Sequence, residues 1–173
     1  MRTIEVVSFD ESWTRQFETE AWLLEALLRG ESRIHHIGST SVPGLAAKPI
    51  VDILIEIDDV ARLDAFGERF RSLGYEPRGE NGIPGRRYFV KGSPERTHQI
   101  HAFTTGSHDA LRHLAVRDYL RGHPDECQAY AQVKLKAAAV CGNDIHRYVA
   151  LKSGFLSSLE MRALAEQARQ VRL

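Results

Sequence analysis

The sequence predicts an α/β fold, in the α+β sense: a small mixed β-sheet with packed helices, followed by a helical C-terminal part. Three observations predict it. Helix and strand signals alternate over about residues 1–105. The segment 50–57 is apolar on both faces except at Asp52 and Glu56, which is typical of a buried strand. From Ser107 onward the apolar residues recur at helical spacing.

Length and charge limit the domain organisation and the partners. The chain has 173 residues, with 23 Lys and Arg against 23 Asp and Glu. We predict one domain over residues 1–173, with an α/β core over about 1–105 and a helical part over about 106–173. The balanced charge argues against nucleic acid or an anionic membrane as partner, and leaves the oligomeric state open. The two cysteines lack a metal-binding spacing and the start is unlike a signal peptide, so we expect a cytoplasmic protein.

The individual elements follow from periodicity and from stop signals. Glycines end the predicted helices, Pro124 stands at a first helical position, and residues 8–11 have the form of a capping box. In chain order we predict a weak strand over 2–7, a helix from Trp13 to Gly30, and strands over 33–37 and 50–57. A helix from Asp58 or Asp59 to Gly74, a glycine-rich loop over 77–85 and a hairpin of strands 86–90 and 97–103 follow. The last three predicted elements are helices, from Ser107 to about Arg121, from Pro124 to Cys141 and from Asp144 towards Arg169.

The segment from His36 to Glu56 is the best candidate for a functional site. It consists of a strand, a Gly38-Ser39 turn, a short helix and a buried strand with carboxylates. Gly38 lets the backbone approach a phosphate, and Ser39 offers a hydroxyl and an N–H group. A carboxylate at Asp52 can hold a divalent ion against the same phosphate. A buried carboxylate is costly unless it is paired, for instance with Lys48 or Arg87, or bound to a metal.

The chain resembles the GrpB-like family, a branch of the nucleotidyltransferase-fold superfamily. The residues that carry the resemblance include the block His-Ile-Gly-Ser-Thr-Ser-Val-Pro-Gly-Leu at 36–45 and Lys-Pro-Ile-x-Asp at 48–52, with weaker pieces at 9–13, 97–101, 117–120 and 152–153. The superfamily carries a Gly-Ser pair, about a dozen residues and then a strand with alternate acids; here twelve residues separate Ser39 from Asp52. The resemblance implies the fold and a nucleotide site.

The chain departs from that pattern at the second acid. Superfamily catalysts place two acids at positions i and i+2 of this strand, roughly 7 Å apart. Here position i+2 is Leu54, while Glu56 faces the same side as Asp52 but about 13 Å away. His101, with Gln99 on the same face, is the best candidate for the superfamily's third acid. The predicted metal set is therefore Asp52, Glu56 and His101, and an imidazole suits Zn²⁺ or Mn²⁺ better than Mg²⁺.

The remaining candidate residues surround this segment. We predict Asp52, Lys48 and His101 as catalytic, with Lys48 offsetting phosphate charge, and Gly38, Ser39, Thr40 and His36 as nucleotide-binding. Lys152 and Arg117 can reach the cleft from the helical part. Four histidines without metal-ligand pairing are assigned structural roles: His108, His113, His123 and His146.

The leading hypothesis is transfer of a nucleotidyl group from a nucleoside triphosphate to an unknown hydroxyl or phosphate acceptor, with a divalent metal. The first alternative is a binding module that only senses a nucleotide or phosphorylated ligand, and the absence of an acid at Leu54 favours it. The resemblance adds a second, an accessory role in coenzyme A metabolism, because GrpB-like domains also occur fused to dephospho-CoA kinase. A phosphatase or other hydrolase using Asp52 and His101 is a further alternative.

Overall fold

The computed structural model describes residues 4–170. Over this range the strands are β1 Ser32–Ile37, β2 Val51–Ile57, β3 Tyr75–Pro77, β4 Arg87–Lys91 and β5 His98–Thr104. The α-helices are α1 Ser12–Leu28, α2 Gly67–Ser72, α3 His108–Gly122, α4 Pro124–Val140 and α5 Ile145–Gln170. Two 3₁₀ helices cover Ser39–Ser41 and Val60–Phe66.

The five strands form one mixed sheet in the order β1-β2-β5-β4-β3. Strands β2 and β5 are parallel, and the other neighbouring pairs are antiparallel. In the parallel pair Asp52 lies opposite Gln99, and Leu54 lies opposite His101. Because side chains alternate along a strand, these four residues lie on one face of the sheet.

Each face of the sheet packs against its own layer of helices. Ile53 and Ile55 are fully buried in a core that includes Trp13 and Leu24 of α1. On the opposite face Leu54 packs with Ile37, Phe103 and Ala110, the last from α3. The C-terminal helices therefore cover the same face that carries Asp52 and His101.

A further apolar cluster ties the loop after β1 to these helices. Val42 and Leu45 of the loop pack with Leu120 of α3, Tyr130 of α4 and Leu159 of α5. This contact fixes the Gly38-Ser39 turn relative to α4 and α5, which brings the helical part of the chain to the candidate site.

Most predicted elements are confirmed, including the β4–β5 hairpin and the three C-terminal helices. Ser107 caps α3 as expected, since its hydroxyl accepts a hydrogen bond from the N–H of Ala110 at 3.4 Å. The short edge strand β3 was not predicted. No helix within residues 4–170 has the length and hydropathy required to cross a membrane.

Three local predictions are wrong. The capping box does not form, because α1 begins at Ser12 and the Asp10 carboxylate accepts the Ser12 N–H at 2.8 Å. The predicted helix after β2 is instead a 3₁₀ helix followed by the short α2. Asp59, one of the two predicted caps, caps the 3₁₀ helix. Within the predicted first strand the structure has only a bridge between Val7 and Ala47, and residues 2–3 lie outside the described range.

Candidate functional site

The Gly38-Ser39 turn lies directly against the carboxylate of Asp52. Gly38 has φ 69° and ψ −172°, a conformation that side-chain-bearing residues rarely adopt. A β-carbon on Gly38 would lie 2.5 Å from Asp52 Oδ2. Glycine is therefore required both by the backbone conformation and by the close approach. The Ser41 hydroxyl donates to the Gly38 carbonyl oxygen at 2.6 Å and holds the turn closed.

Helix α3 fixes this turn from the other side. Arg121 donates two hydrogen bonds to the carbonyl oxygen of Ser41, at 2.7 and 3.0 Å. Arg117 donates to the carbonyl oxygen of His36 at 3.3 Å. The predicted approach of Arg117 is thus a contact with the backbone of the strand that leads into the turn, and Arg117 is also paired with Asp118.

Asp52 and His101 lie side by side on β2 and β5. His101 Nε2 is 3.6 Å from Asp52 Oδ1, and the Asp52 side chain keeps 29% of its surface exposed. The proposed partner Arg87 instead forms two hydrogen bonds to Asp64. The Asp52 carboxylate thus lies beside the Gly38-Ser39 turn with part of its surface exposed.

Two lysines from the C-terminal helices complete the site. Lys134 of α4 is only 2% exposed, and its Nζ donates to Ser39 Oγ at 2.8 Å. Burial, and then the charge of Lys152, lower the pKa of Lys134 to about 7. Burial also lowers the pKa of Lys152 on α5, while the charge of Asp52 opposes that shift. These are the perturbed groups expected of a functional cleft.

One cavity of about 260 Å³ is bordered by the Gly38-Ser39 turn, Asp52, His101 and the two lysines. Its lining comes from the turn, from β2, β5 and the loop between β1 and β2, and from all three C-terminal helices. The polar lining residues are Ser39, Thr40, Lys48, Asp52, Gln99, His101, His113, Lys134, Tyr148 and Lys152. The turn, the Asp52 carboxylate and His101, predicted from distant parts of the sequence, thus meet at a single opening.

Two imidazoles lie together on one side of the cavity. The rings of His101 and His113 are 5.3 Å apart between centroids. Burial lowers the pKa of His113 to about 3, so that ring is neutral at pH 7. Among the residues that the structure describes, neither His101 Nδ1 nor His113 Nε2 has a hydrogen-bond partner, although both are buried. His113, for which a structural role is predicted, thus also lines the cavity.

His36 and Thr40 support the turn from behind. His36 Nε2 and Thr40 Oγ1 are 3.0 Å apart, and both residues are buried. The His36 ring stacks on Phe17 with centroids 4.7 Å apart. Burial lowers the pKa of His36 to about 4. Thr40 lines the cavity, whereas His36 is not among the residues that line it.

Glu56 is held elsewhere in the fold. It is 5% exposed, its Oε2 lies 3.0 Å from His35 Nε2, and its Oε1 accepts the Gly106 N–H at 3.2 Å. The structure thus brings Asp52 and His101 of the predicted metal set together and leaves Glu56 apart. Within residues 4–170 no group of three or more His, Cys, Asp or Glu side chains is placed to hold a metal ion.

The residues present do not fit the two-acid metal site that the family resemblance implies. Leu54, at the position of the second acid, has no exposed surface and packs against Ile37 and Phe103. The side chain beside Asp52 on β5 is an imidazole, His101, and not a further carboxylate. One carboxylate, one imidazole and the amide of Gln99 form a poor donor set for Mg²⁺, which prefers several oxygen ligands.

The Tyr148 ring lies beneath two of the cavity's lysines. Lys48 lies over the Tyr148 ring at 5.4 Å, and Lys152 lies over the same ring at 5.6 Å. Neither Lys134 nor Tyr148 was predicted for the site. A signal for Lys134 exists: the buried residues of α4 are spaced three, four and three apart, and Lys134 is the one charged member of that set, Cys127, Tyr130, Lys134 and Ala137.

Known proteins resemble the chain in sequence along nearly all of its length. Residues 3–162 match the family model described as GrpB protein. The UPF0157 protein YqkA of Bacillus subtilis is 42% identical over 163 residues, a match that covers 94% of this chain and 48% of that protein. The chain therefore spans about half the length of this relative. A dephospho-CoA kinase of Mycolicibacterium paratuberculosis is 27% identical over 157 residues, covering 76% of this chain and 38% of the kinase.

Solved structures extend the comparison to the fold. The crystal structure of conserved protein GrpB from Enterococcus faecalis has a TM-score of 0.90 at 38% identity and covers 94% of this chain and 99% of its own. The GLD-2/RNP-8 complex gives a TM-score of 0.58 at 16% identity, covering 84% of this chain and 50% of that one. A cytoplasmic RNA terminal U-transferase gives a TM-score of 0.52 at 14% identity, covering 74% of this chain and 40% of that one. The predicted nucleotidyltransferase-type fold is confirmed.

Proposed function

The chain belongs to the GrpB family, and we propose that its cavity binds the phosphate groups of a nucleotide or of another phosphorylated small molecule. The observation that carries this proposal is the pair Lys134 and Lys152, which the C-terminal helices bring to the cavity beside Ser39 and Asp52. Lys134 is buried and Lys152 is partly buried, and burial of an ammonium group is costly unless it meets an opposite charge. A bound phosphate supplies that charge.

The charge balance of the cavity favours an anion. Its lining contains three lysines, Lys48, Lys134 and Lys152, against one carboxylate, Asp52. With all four ionised, three positive charges minus one negative charge leave an excess of two positive charges. Ser39 adds a hydroxyl at the same opening, and the glycine at position 38 keeps the backbone there free of side-chain bulk. In the superfamily pattern a metal ion held by acids would neutralise the phosphate. Here the lysines provide that positive charge instead.

A thermal-shift panel tests this proposal. The ligands are the four nucleoside triphosphates, pyrophosphate, phosphate and dephospho-coenzyme A, each with EDTA or with Mg²⁺, Mn²⁺ or Zn²⁺. A ligand at 100 times its dissociation constant should stabilise the protein by about 2.7 kcal/mol. We expect a shift that persists in EDTA and that Lys152→Met strongly reduces.

The matched control is Lys136→Met, which removes an exposed lysine from α4 two residues from Lys134. This variant should keep the full shift. The proposal is wrong if no phosphorylated ligand shifts the wild type, or if Lys152→Met and Lys136→Met bind equally well.

Nucleotidyl transfer from a nucleoside triphosphate to an acceptor is the second candidate. The contact of Asp52 with the Gly38-Ser39 turn favours it, because that turn and that carboxylate match the superfamily spacing. Pyrophosphate release, measured with each triphosphate and each divalent ion, distinguishes the two candidates. Release that Asp52→Asn abolishes supports transfer. Binding without release supports the binding function, and Asp52→Asn should then bind the anion more tightly because a repelling charge is gone.

A further inference from the structure

Ser39 and Lys134 stand in the geometry of a nucleophile and its base. The Ser39 hydroxyl is half-buried and borders the cavity, and its Oγ is 2.8 Å from Lys134 Nζ. An ammonium donates across this distance to Oγ, whereas a deprotonated amine accepts the hydroxyl proton. A nucleophile and a base within 2.6–3.2 Å, with the base fixed by its surroundings, are the structural signature of an activated serine.

The surroundings of Lys134 fix its side chain, and its burial favours the neutral amine. The Nζ atom lies 4.7 Å from the centroid of the Tyr130 ring, and the residue is 2% exposed. Burial and the charge of Lys152 bring its pKa to about 7, close to the optimum for a general base at neutral pH. The titratable and charged groups around it are Cys127 and Tyr130 on α4, Tyr148 and Lys152 on α5, Asp52 on β2, Lys48 before β2, and His101 and His113 at the cavity.

We propose that Ser39 and Lys134 form a catalytic pair that hydrolyses a carboxylic ester bound in the cavity. The Ser39 hydroxyl passes its proton to Lys134 Nζ while Oγ forms a bond to the carbonyl carbon, whose oxygen takes up the displaced electron pair. When the carbonyl re-forms, the bond to the alcohol oxygen breaks and Lys134 returns the proton to that oxygen. Water then attacks the acyl-Ser39 by the same route and releases the carboxylic acid and Ser39.

The cavity restricts the substrate. Its volume of about 260 Å³ suits a small acyl group. Lys152 lines the same cavity and acts electrostatically on Lys134, so its positive charge is available to stabilise the negative oxygen of the tetrahedral intermediate.

A fluorophosphonate probe tests the pair directly, because it reacts much faster with an activated serine than with an ordinary hydroxyl. After incubation of the full chain, peptide mass spectrometry identifies the modified residue, and p-nitrophenyl acetate reports turnover. We expect the label on Ser39, with a rate that falls about 100-fold in both Lys134→Met and Lys134→Arg. Lys134→Arg keeps the charge but cannot act as a base. Lys136→Met should label at the wild-type rate.

The pH dependence supplies a second readout. The labelling rate should rise through pH 7 as Lys134 loses its proton, and level off above pH 8. The inference is overturned if Ser39 stays unlabelled, or if Lys134→Arg labels as fast as the wild type. The pyrophosphate thermal shift is recorded on the same samples. A shift without labelling contradicts this inference alone, whereas labelling without a shift contradicts only the proposed phosphate binding.

Discussion

Gly38 and Asp52 are in van der Waals contact across the end of two neighbouring strands, and only a hydrogen in place of a side chain allows it. A β-carbon at position 38 would lie 2.5 Å from Asp52 Oδ2. The same glycine has a φ of 69°. The position of the carboxylate and the shape of the Gly38-Ser39 turn are therefore coupled, and a change at one must disturb the other.

Gly38→Ala should destabilise the protein by about 2 kcal/mol, from left-handed backbone strain and from displacement of the Asp52 side chain. Urea unfolding measures the loss, and the pyrophosphate thermal shift measures the site. Gly44→Ala is the matched control, because Gly44 has φ 79° but no atom within 4 Å of the added carbon. It should lose about 1 kcal/mol through strain alone and keep ligand binding. Equal ligand binding by the two variants would show that the Gly38–Asp52 contact does not shape the site.

The affinity for pyrophosphate should fall as pH rises from 7 to 9. The free protein holds Lys134 with a pKa of about 7, and a bound anion raises that pKa because it favours the ammonium. Below pH 7 the lysine is already charged, so its protonation no longer limits binding. Above pH 7 each pH unit should weaken binding by up to about tenfold, since a proton must be taken up on binding.

Isothermal titration calorimetry in buffers of different ionisation enthalpy measures both the affinity and the proton uptake. Lys134→Met should bind more weakly at pH 7 and show less change between pH 7 and pH 9. A wild-type affinity that is flat over this range would contradict the assignment of Lys134 to the ligand.

Lys134→Met should stabilise the unliganded protein at pH 7 by about 2 kcal/mol, or roughly 4–8 °C in melting temperature. Met fills the same buried space without the cost of desolvating an ammonium. Because the pKa of Lys134 is lowered on folding from 10.5 to about 7, the unfolded chain binds more protons between these values. The wild type should therefore gain stability as pH rises from 7 towards 10, and its deficit relative to Lys134→Met should shrink.

Thermal and urea unfolding at pH 7 and pH 9.5 check this prediction, with Lys136→Met as the surface control that should change stability by less than about 0.5 kcal/mol. A destabilised Lys134→Met would instead indicate that the bond to Ser39 is a net structural contribution.

Acid should destabilise the protein between pH 6.5 and pH 4, in part through His36. Burial lowers the pKa of His36 to about 4, so in this window the unfolded chain binds a proton that the folded protein does not. Stability is fully present above pH 6.5 and is lost as pH falls. His36→Gln keeps a hydrogen-bonding group for Thr40 and removes the titration.

Urea unfolding at pH 7 and pH 4.5 should therefore show a smaller pH-dependent loss in His36→Gln than in the wild type. His146→Gln is the control, because His146 is exposed and its replacement should leave the loss unchanged. Identical losses in wild type and His36→Gln would mean that His36 is protonated in the folded state.

The sequence predicted the fold class and most elements because their signals are local. The apolar periodicity and the capping residue Ser107 depend only on residues close together in the sequence. These signals therefore predicted the positions of the helices from α3 onward. Strand β3 was missed because three residues that end in Pro77 carry too short a pattern to detect. The segment Val60–Phe66 has apolar residues at helical spacing, so only the structure shows that its hydrogen bonds form a 3₁₀ helix.

The candidate site could be predicted in detail only on its sheet side. From the helical part Lys152 and Arg117 were expected at the cleft, and of these Lys152 lines the cavity. The spacing of Gly38, Ser39 and Asp52 is a property of one turn and one strand, and alternation along β5 placed His101 on the matching face. Lys134 escaped prediction because a lysine on a helix normally faces solvent. Its burial depends on how α4 docks against the turn, which is tertiary information.

The bond between Ser39 and Lys134 joins residues 95 positions apart in the chain. Closing the long loop between two such residues costs conformational entropy before any favourable contact forms. Contacts of this kind therefore form late in folding. The cavity therefore comes into existence only when the C-terminal helices dock on the finished sheet. Any ligand that contacts both Ser39 and Lys134 links the segment after β1 to α4. Such a ligand should slow global unfolding more than it speeds folding.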